Sequence, residues 1–263
     1  MIGNNRYGIV IQERDRHLLR ELAIMRVADR EQVKILAGFG SITRVNTRLL
    51  ALTRAGLLRR FFLGSTASGR KALYTLSAKG AAFVGVPERG PRRRKDEVLV
   101  ADFFVSHQLA VNSIYCGLKY GDVSIHGADF GRWISFYKPL SPQLRLIPDG
   151  YFELNTRSGP LASFVELDLG HERFTIWKEK VRNYLQFAVS GDFEPRFGHG
   201  QFRVLIIANS ERRLLWIRKI VRASTIKVFW FSTIGSIESH GFFGPVWLRP
   251  TGDGHKSFLS ENA

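Results

Sequence analysis

The sequence predicts an α+β protein in two parts, the second with the helix–strand alternation of an α/β domain. Three observations predict it. The first is charge. The 263-residue chain carries 39 Lys+Arg against 23 Asp+Glu. Residues 1–95 hold 20 Lys/Arg and 6 Asp/Glu, whereas residues 96–263 hold 19 and 17. One segment is built to meet a polyanion and the other is not. The second observation is periodicity, which reads as short helices and paired strands in the front third and as alternation behind it. The third is the stretch 87–96, PERGPRRRKD, with two Pro, one Gly and four consecutive basic residues. That composition marks a linker, and it falls where the charge balance changes.

The front elements follow from local signals. QERDRHLLRELAIM places Leu18, Leu19, Leu22 and Met25 at helical spacing. DREQVKILAG supplies Asp29 as N-cap and Gly38 as stop for a second helix. Ser41 caps a third, SITRVNTRLLALTRAG, whose Ile42, Val45, Leu49 and Leu52 form one apolar stripe ending at Gly56. LLRRFFL and ALYTLS read as strands around the loop GSTASGRK, and AKGAAFVG as a closing helix.

Behind the linker, a long amphipathic helix is predicted near Val98–Lys119. Strand-like stretches follow near Val123–His126 and Trp133–Tyr137, then LIPDGYFELN and LASFVELDL around the turn TRSGP. HERFTIWKEKVRNYLQFAV is a helix, FRVLIIA an apolar strand, SERRLLWIRKIVRAS a helix and IKVFWFS a strand. The order α-β-β-β-α-β-α-β predicts a mixed sheet flanked by helices. VFWFS and FFGPVWL are read either as core or as a sheet-edge or dimer contact. The tail at 251–263 reads as polar and poorly ordered.

Composition limits function. A hydrophobic fraction of 44% is a globular value. One cysteine, Cys116, excludes an intramolecular disulfide and a Cys-based zinc site. No long apolar stretch opens the chain and no run approaches the ~18 apolar residues of a membrane span. A cytoplasmic, nucleoid-associated bacterial protein with no membrane partner is expected. A pI of about 10.4 points to nucleic acid first. No phosphate loop G-x-x-x-x-G-K-[ST], no G-x-S-x-G elbow and no His/Cys zinc spacing is present.

Three helices and a hairpin make the winged helix-turn-helix arrangement. Burying the stripe of the third helix leaves Thr43, Arg44, Thr47, Arg48 and Ala51 outward, a small, polar, basic face suited to a major groove. Arg70 and Lys71 would reach a phosphate or minor groove from the hairpin. The run Arg92, Arg93, Arg94, Lys95 reads either as further phosphate contacts or as a solvated linker. LALTRAGLLRRFF followed by YTLSAKG resembles winged-helix DNA-binding domains. The resemblance covers about residues 12–86 and implies double-stranded DNA as partner.

The chemical-looking feature of the back part is Pro148-Asp149 with Glu166-Leu167-Asp168. Period-2 alternation puts Glu166 and Asp168 on one strand face. A hairpin that sets Asp149 opposite would make three carboxylates converge, a hard-oxygen set for Mg²⁺ or Mn²⁺ in phosphodiester cleavage. Otherwise Asp149 is a turn residue and Glu166 and Asp168 form surface ion pairs. The pattern resembles the PD-(D/E)XK nuclease-like, or restriction-endonuclease-like, αβββαβ fold. Asp168 stands where that family has its lysine, and Lys178 and Lys180 follow on the next helix. The resemblance implies Asp149, Glu166, Asp168 and Lys180 as catalytic residues, with the three carboxylates as metal ligands. His107 and His171 are weaker ligand candidates.

Taken together, ERDRHLLRELAIMRVADREQV, RLLALTRAGLLRR, LYTLSAKG, SHQLAVNSIYCGL, IPDGYFEL, FVELDLG and KEKVRNYLQF resemble the replication-relaxation family of bacterial and mobile-element proteins. The resemblance implies a DNA-directed role on a plasmid or mobile element, as regulator or as replication/relaxation accessory factor, with a metal-dependent nickase as the alternative. A second copy of the chain or other mobile-element proteins are further expected partners. The expected domains are a winged helix at 10–86, a linker at 87–96, a nuclease-like domain at 97–250 and the tail at 251–263.

Overall fold

The computed structural model describes residues 9–63, 70–90, 98–121 and 123–259. The basic run Arg92–Lys95 therefore lies outside the described residues. The chain is an α+β protein that divides into two compact units, residues 1–120 and 121–263.

The N-terminal unit contains helix α1 (Glu13–Met25), strand β1 (Ala28–Asp29), helices α2 (Arg30–Leu36) and α3 (Ile42–Arg54), strands β2 (Leu58–Leu63) and β3 (Lys71–Leu76), and helices α4 (Ala78–Val84) and α5 (Val98–Tyr120). The apolar spacing does what it predicts. Leu18, Leu19, Leu22 and Met25 of α1 and Val45, Leu49 and Leu52 of α3 are all buried, whereas Ile42, the first residue of the α3 stripe, is half-buried. The caps form as read. Asp29 accepts from Gln32 N–H at 2.9 Å, and Ser41 accepts from Arg44 N–H at 3.4 Å. Gly56 leaves α3 at φ +73°, a conformation that costs a side-chain-bearing residue energy. β2 and β3 pair antiparallel from Leu58↔Leu76 to Leu63↔Lys71. The two-residue β1, too short for any pattern, pairs with the other side of β3.

Helix α5 departs from the expected boundary at residue 97, because it packs inside the N-terminal unit. Asn112 Nδ2 donates to the carbonyls of Met25 and Val27 at 3.1 and 2.6 Å, and Gln32 Nε2 donates to that of Leu109 at 2.8 Å. Tyr115 OH and Lys119 Nζ both donate to Glu21, at 2.5 and 2.7 Å. Buried polar groups need such partners. The linker composition marks a change of charge, whereas these bonds show where packing ends.

The C-terminal unit opens with a 3-10 turn at Val123–His126 where a strand is predicted. Only Val123 of those four residues is buried and Ile125 is 75% exposed, so there is no sheet face to pair. Strands β4 (Ala128–Ile134), β5 (Gly150–Thr156) and β6 (Gly159–Asp168) follow, then helices α6 (Phe174–Val189) and α7 (Phe193–Phe197), β7 (Arg203–Ala208), α8 (Glu211–Arg222) and β8 (Phe229–Thr233). The sheet order is β4-β5-β6-β7-β8. β4, β5 and β6 are antiparallel neighbours, while β6, β7 and β8 are parallel, joined by crossovers through α6 and α8. Trp177, Tyr184 and Phe187 of α6 and Leu214, Ile217 and Val221 of α8 pack on Phe164, Val204, Ile206, Phe229 and Phe231.

The chain then forms helix α9 (Ile234–His240) and the strand pair β9 (Pro245–Trp247) and β10 (Lys256–Ser257). VFWFS and VWL are spent on the unit's own core. Phe231 and Trp247 are fully buried, and Phe231 bridges to Leu248. The segment from 251, read as a loose tail, carries β10, and Phe258 is fully buried against Phe152, Trp230 and Trp247. One aromatic ring anchors a stretch whose average composition is polar.

Candidate functional site

Helix α3 presents Thr43, Arg44, Asn46, Thr47 and Arg54 to solvent. Among the described residues, Arg44 and Arg54 form no ion pair, so both guanidiniums stand open. Asn46 and Arg54 belong to the same surface but were not among the predicted contacts. The helical spacing that selects Thr43 and Thr47 also selects them. Thr47 donates its hydroxyl to the Thr43 carbonyl at 3.0 Å.

Arg48, expected to face outward, is paired within the unit. Its Nε donates to Asp15 Oδ1 at 2.8 Å, one terminal nitrogen meets Asp15 Oδ2, and that nitrogen also donates to the Val10 carbonyl at 2.7 Å. Asp15 is 1% exposed and also accepts from Gln12 N–H at 2.7 Å. The arginine is bound into a buried pair joining α1 to α3. The Asp15 hydrogen bond outweighs burial and raises the Arg48 pKa. Ala51, also expected outward, is half-buried. In the hairpin, Arg70 and Lys71 are both exposed, and Lys71 lies 2.5 Å from Asp29 Oδ2.

In the C-terminal unit the β5–β6 register runs through Gly150↔Val165, which sets Asp149 opposite Glu166. Gly150 is required there, because a Cβ would fall 2.3 Å from the Trp133 ring. Asp149 Oδ2 accepts from Leu167 N–H at 2.8 Å. Glu166 is fully buried. One of its oxygens accepts from Lys180 Nζ at 2.7 Å and the other from Tyr184 OH at 2.5 Å. Lys180 also pairs with Glu172 Oε1 at 2.7 Å, and Glu172 Oε2 is buried with no donor among the described residues. Burial pushes the Glu166 carboxyl up to about 7 against the pull of Lys180, with the Asp149 charge adding to the rise. Burial alone would lower Lys180, but Glu166, Asp149 and Glu172 overcome it and hold the ammonium charged.

The fold thus brings Asp149, Glu166 and Lys180 together and takes Asp168 out of the set. Asp168 is 1% exposed and faces α8, where Arg213 grips it bidentately at 2.9 and 2.8 Å. Trp177 Nε1 and Gly170 N–H donate to it at 2.6 and 2.5 Å. Burial would raise its pKa, but Arg213, Trp177 and Gly170 lower it. Neither carboxylate is the surface ion pair that a lone E-x-D suggests.

These donors do not fit a divalent ion. Each oxygen of Glu166 and of Asp168 already has a hydrogen-bond donor, and a cation on Glu166 would have to displace Lys180. Among the described residues, no three His, Cys, Asp or Glu side chains come together to hold a metal. The predicted ligand set Asp149, Glu166 and Asp168 therefore does not assemble. Of the weaker candidates, His107 is half-buried on α5, and His171 and Lys178 are exposed. Cys116 is buried, and burial pushes its thiol up to about 12, which makes it inert. Among the described residues, no helix is long and apolar enough to cross a membrane.

Comparison with known proteins agrees with the sequence motifs. No curated protein and no solved structure matches the chain. Residues 19–203 match the family described as Replication-relaxation. That span reaches from α1 to the start of β7, across the exposed face of α3 and the Asp149–Glu166–Lys180 cluster. The chain belongs to the replication-relaxation family.

Proposed function

We propose that the chain is a double-stranded DNA-binding factor of a bacterial mobile element or plasmid. It acts as a regulator or as a replication/relaxation accessory factor, and its N-terminal unit works as a winged helix. The observation that carries this reading is the outward face of α3, where Thr43, Arg44, Asn46 and Thr47 are exposed together and Arg44 has no acidic partner among the described residues. Such a face offers a bidentate guanidinium to a guanine edge, an amide to an adenine and small side chains that allow close approach. Exposed Arg54 and Arg70 supply phosphate contacts, and the net positive front third supplies long-range attraction. Family membership supports a role in replication or relaxation of such an element.

The alternative, a Mg²⁺- or Mn²⁺-dependent nickase on Asp149, Glu166 and Asp168, is disfavoured by the donor set. On the present reading the Asp149–Glu166–Lys180 cluster is part of the packing of β6 against α6. A gel shift on duplex selected from random sequence, paired with plasmid incubation in Mg²⁺ or Mn²⁺, tests both halves. Arg44→Ala should lose about 1–3 kcal/mol of specific binding. Arg70→Ala should weaken all duplexes alike and reduce the salt slope by about 0.9. The plasmid should stay supercoiled. Unchanged binding by Arg44→Ala removes α3 from the interface. Nicking by the native chain that Asp149→Ala abolishes restores the nickase.

A further inference from the structure

An open surface cleft of about 630 Å³ lies beyond the carboxyl ends of β6 and β7, within the C-terminal unit. Its lining includes Arg173, Phe174, Arg212, Arg213 and Trp216. This edge of parallel strands is where open α/β sheets place ligands, and the volume is that of a small-molecule site. Nothing in the proposed duplex interface uses it.

Its chemistry is divided among cations, rings and one carboxylate, Glu172, whose Oε1 is paired with Lys180 at 2.7 Å. Arg213 is committed, with its guanidinium held by Asp168 and by the Glu172 carbonyl. It lies 4.1 Å from the Trp216 ring centre and so fixes that indole. Phe174 meets Trp216 edge-to-face, with centroids 6.4 Å apart and planes at 69°, and Phe174 is 52% exposed. Two roughly perpendicular rings can take a flat aromatic ligand by its face and its edge. Arg173 and Arg212 are exposed, and among the described residues neither forms an ion pair. They are open guanidiniums beside a positioned aromatic wall.

We infer that this cleft binds a nucleoside phosphate unit, with the base against Trp216 and Phe174 and the phosphate between Arg173 and Arg212. Ring stacking with arginine contacts to phosphate is how proteins hold single-stranded nucleic acid without reading its sequence. The same chemistry serves a free nucleotide. A strand is the occupant that joins this site to a protein acting on DNA.

The test uses the full chain and two probes, dTMP and a fluorescein-labelled oligothymidylate, read by anisotropy with dTMP as competitor. Trp216→Ala should weaken the oligonucleotide by about 5- to 150-fold, the range that loss of one stacked base implies. Arg212→Glu, on an exposed residue whose change leaves the core intact, should weaken it as well. Both variants should retain the duplex gel shift, whereas Arg44→Ala should lose the shift and keep the oligonucleotide. Failure of the cleft is thereby separated from failure of α3. Tighter binding of the oligonucleotide than of dTMP identifies a strand as the occupant, and equal affinity identifies a free nucleotide. Absence of binding by either probe overturns the site, and so does undiminished binding by both variants.

Discussion

Lys180→Met should destabilise the C-terminal unit by about 3–5 kcal/mol near pH 8, the cost of stranding one partner of a buried ion pair. The substitution keeps a long apolar stem against Trp177, whose ring lies 5.0 Å from the lysine nitrogen, so little packing is lost. What is lost is the cation that faces Glu166 and Glu172 at 2.7 Å each. The cost should depend on pH. Burial already lifts the Glu166 carboxyl from 4.5 to about 7, so the folded chain holds a proton that the unfolded chain releases. Stability from this group is complete below about pH 4.5 and falls as pH rises through 7. Without Lys180 the carboxyl rises further, and the penalty should shrink below pH 6, where Glu166 is neutral. Glu166→Gln/Lys180→Met keeps an acceptor for Tyr184 without the charge, so it should cost less than Lys180→Met alone at pH 8. Asp168 works in the opposite sense. Its lowered pKa contributes stability that is present above 3.8 and lost as pH falls. Urea titrations of the three proteins at pH 5.5 and 8 measure the Lys180 and Glu166 effects, and a native titration carried down to pH 3 measures that of Asp168. A Lys180→Met cost under about 1 kcal/mol, or one equal at both pH values, would show that Lys180 does not balance Glu166.

The sequence revealed what local rules govern and missed what distant partners decide. Apolar spacing found the buried rows of α1 and α3, because one face of a helix is fixed by its 3.6-residue period. Asp29, Ser41 and Gly56 were readable because a cap acts within one turn. Asp149 and Glu166 could be paired from the hairpin, since register follows once two strands and their turn are placed. The role of Arg48 was hidden, because Asp15 lies 33 residues away on another helix. Asp168 looks like a ligand in the sequence because its Arg213 partner lies 45 residues on, after a full crossover. Helix α5 falls across the boundary in the sequence for the same reason. Asn112 and Tyr115 look like its solvent face until β1 and α1 arrive to meet them. Charged and polar residues show their type in sequence, but their partners come only with the fold.

The same distinction makes Arg48 and Arg44 opposite tests of one helix. Arg48→Ala should cost about 3 kcal/mol of stability, at the low end for a broken buried pair because the arginine side chain is 21% exposed. It leaves Asp15 charged, 1% exposed and held by a single backbone N–H from Gln12. Asp15→Asn in the same chain removes the charge and should recover part of the loss, so the two changes should be non-additive. Below the unfolding transition, Arg48→Ala should bind duplex within about twofold of the native chain, because its guanidinium is already committed to Asp15 and the Val10 carbonyl. Arg44→Ala should behave the other way. Its side chain is exposed and, among the described residues, forms no ion pair, so stability should move by no more than about 0.5 kcal/mol while specific DNA affinity falls. Urea unfolding and gel shift on the same two proteins give four numbers. Equal losses of affinity in both variants would mean that Arg48 leaves Asp15 to meet DNA. The α1–α3 pair would then be a latch opened by binding, not a fixed strut.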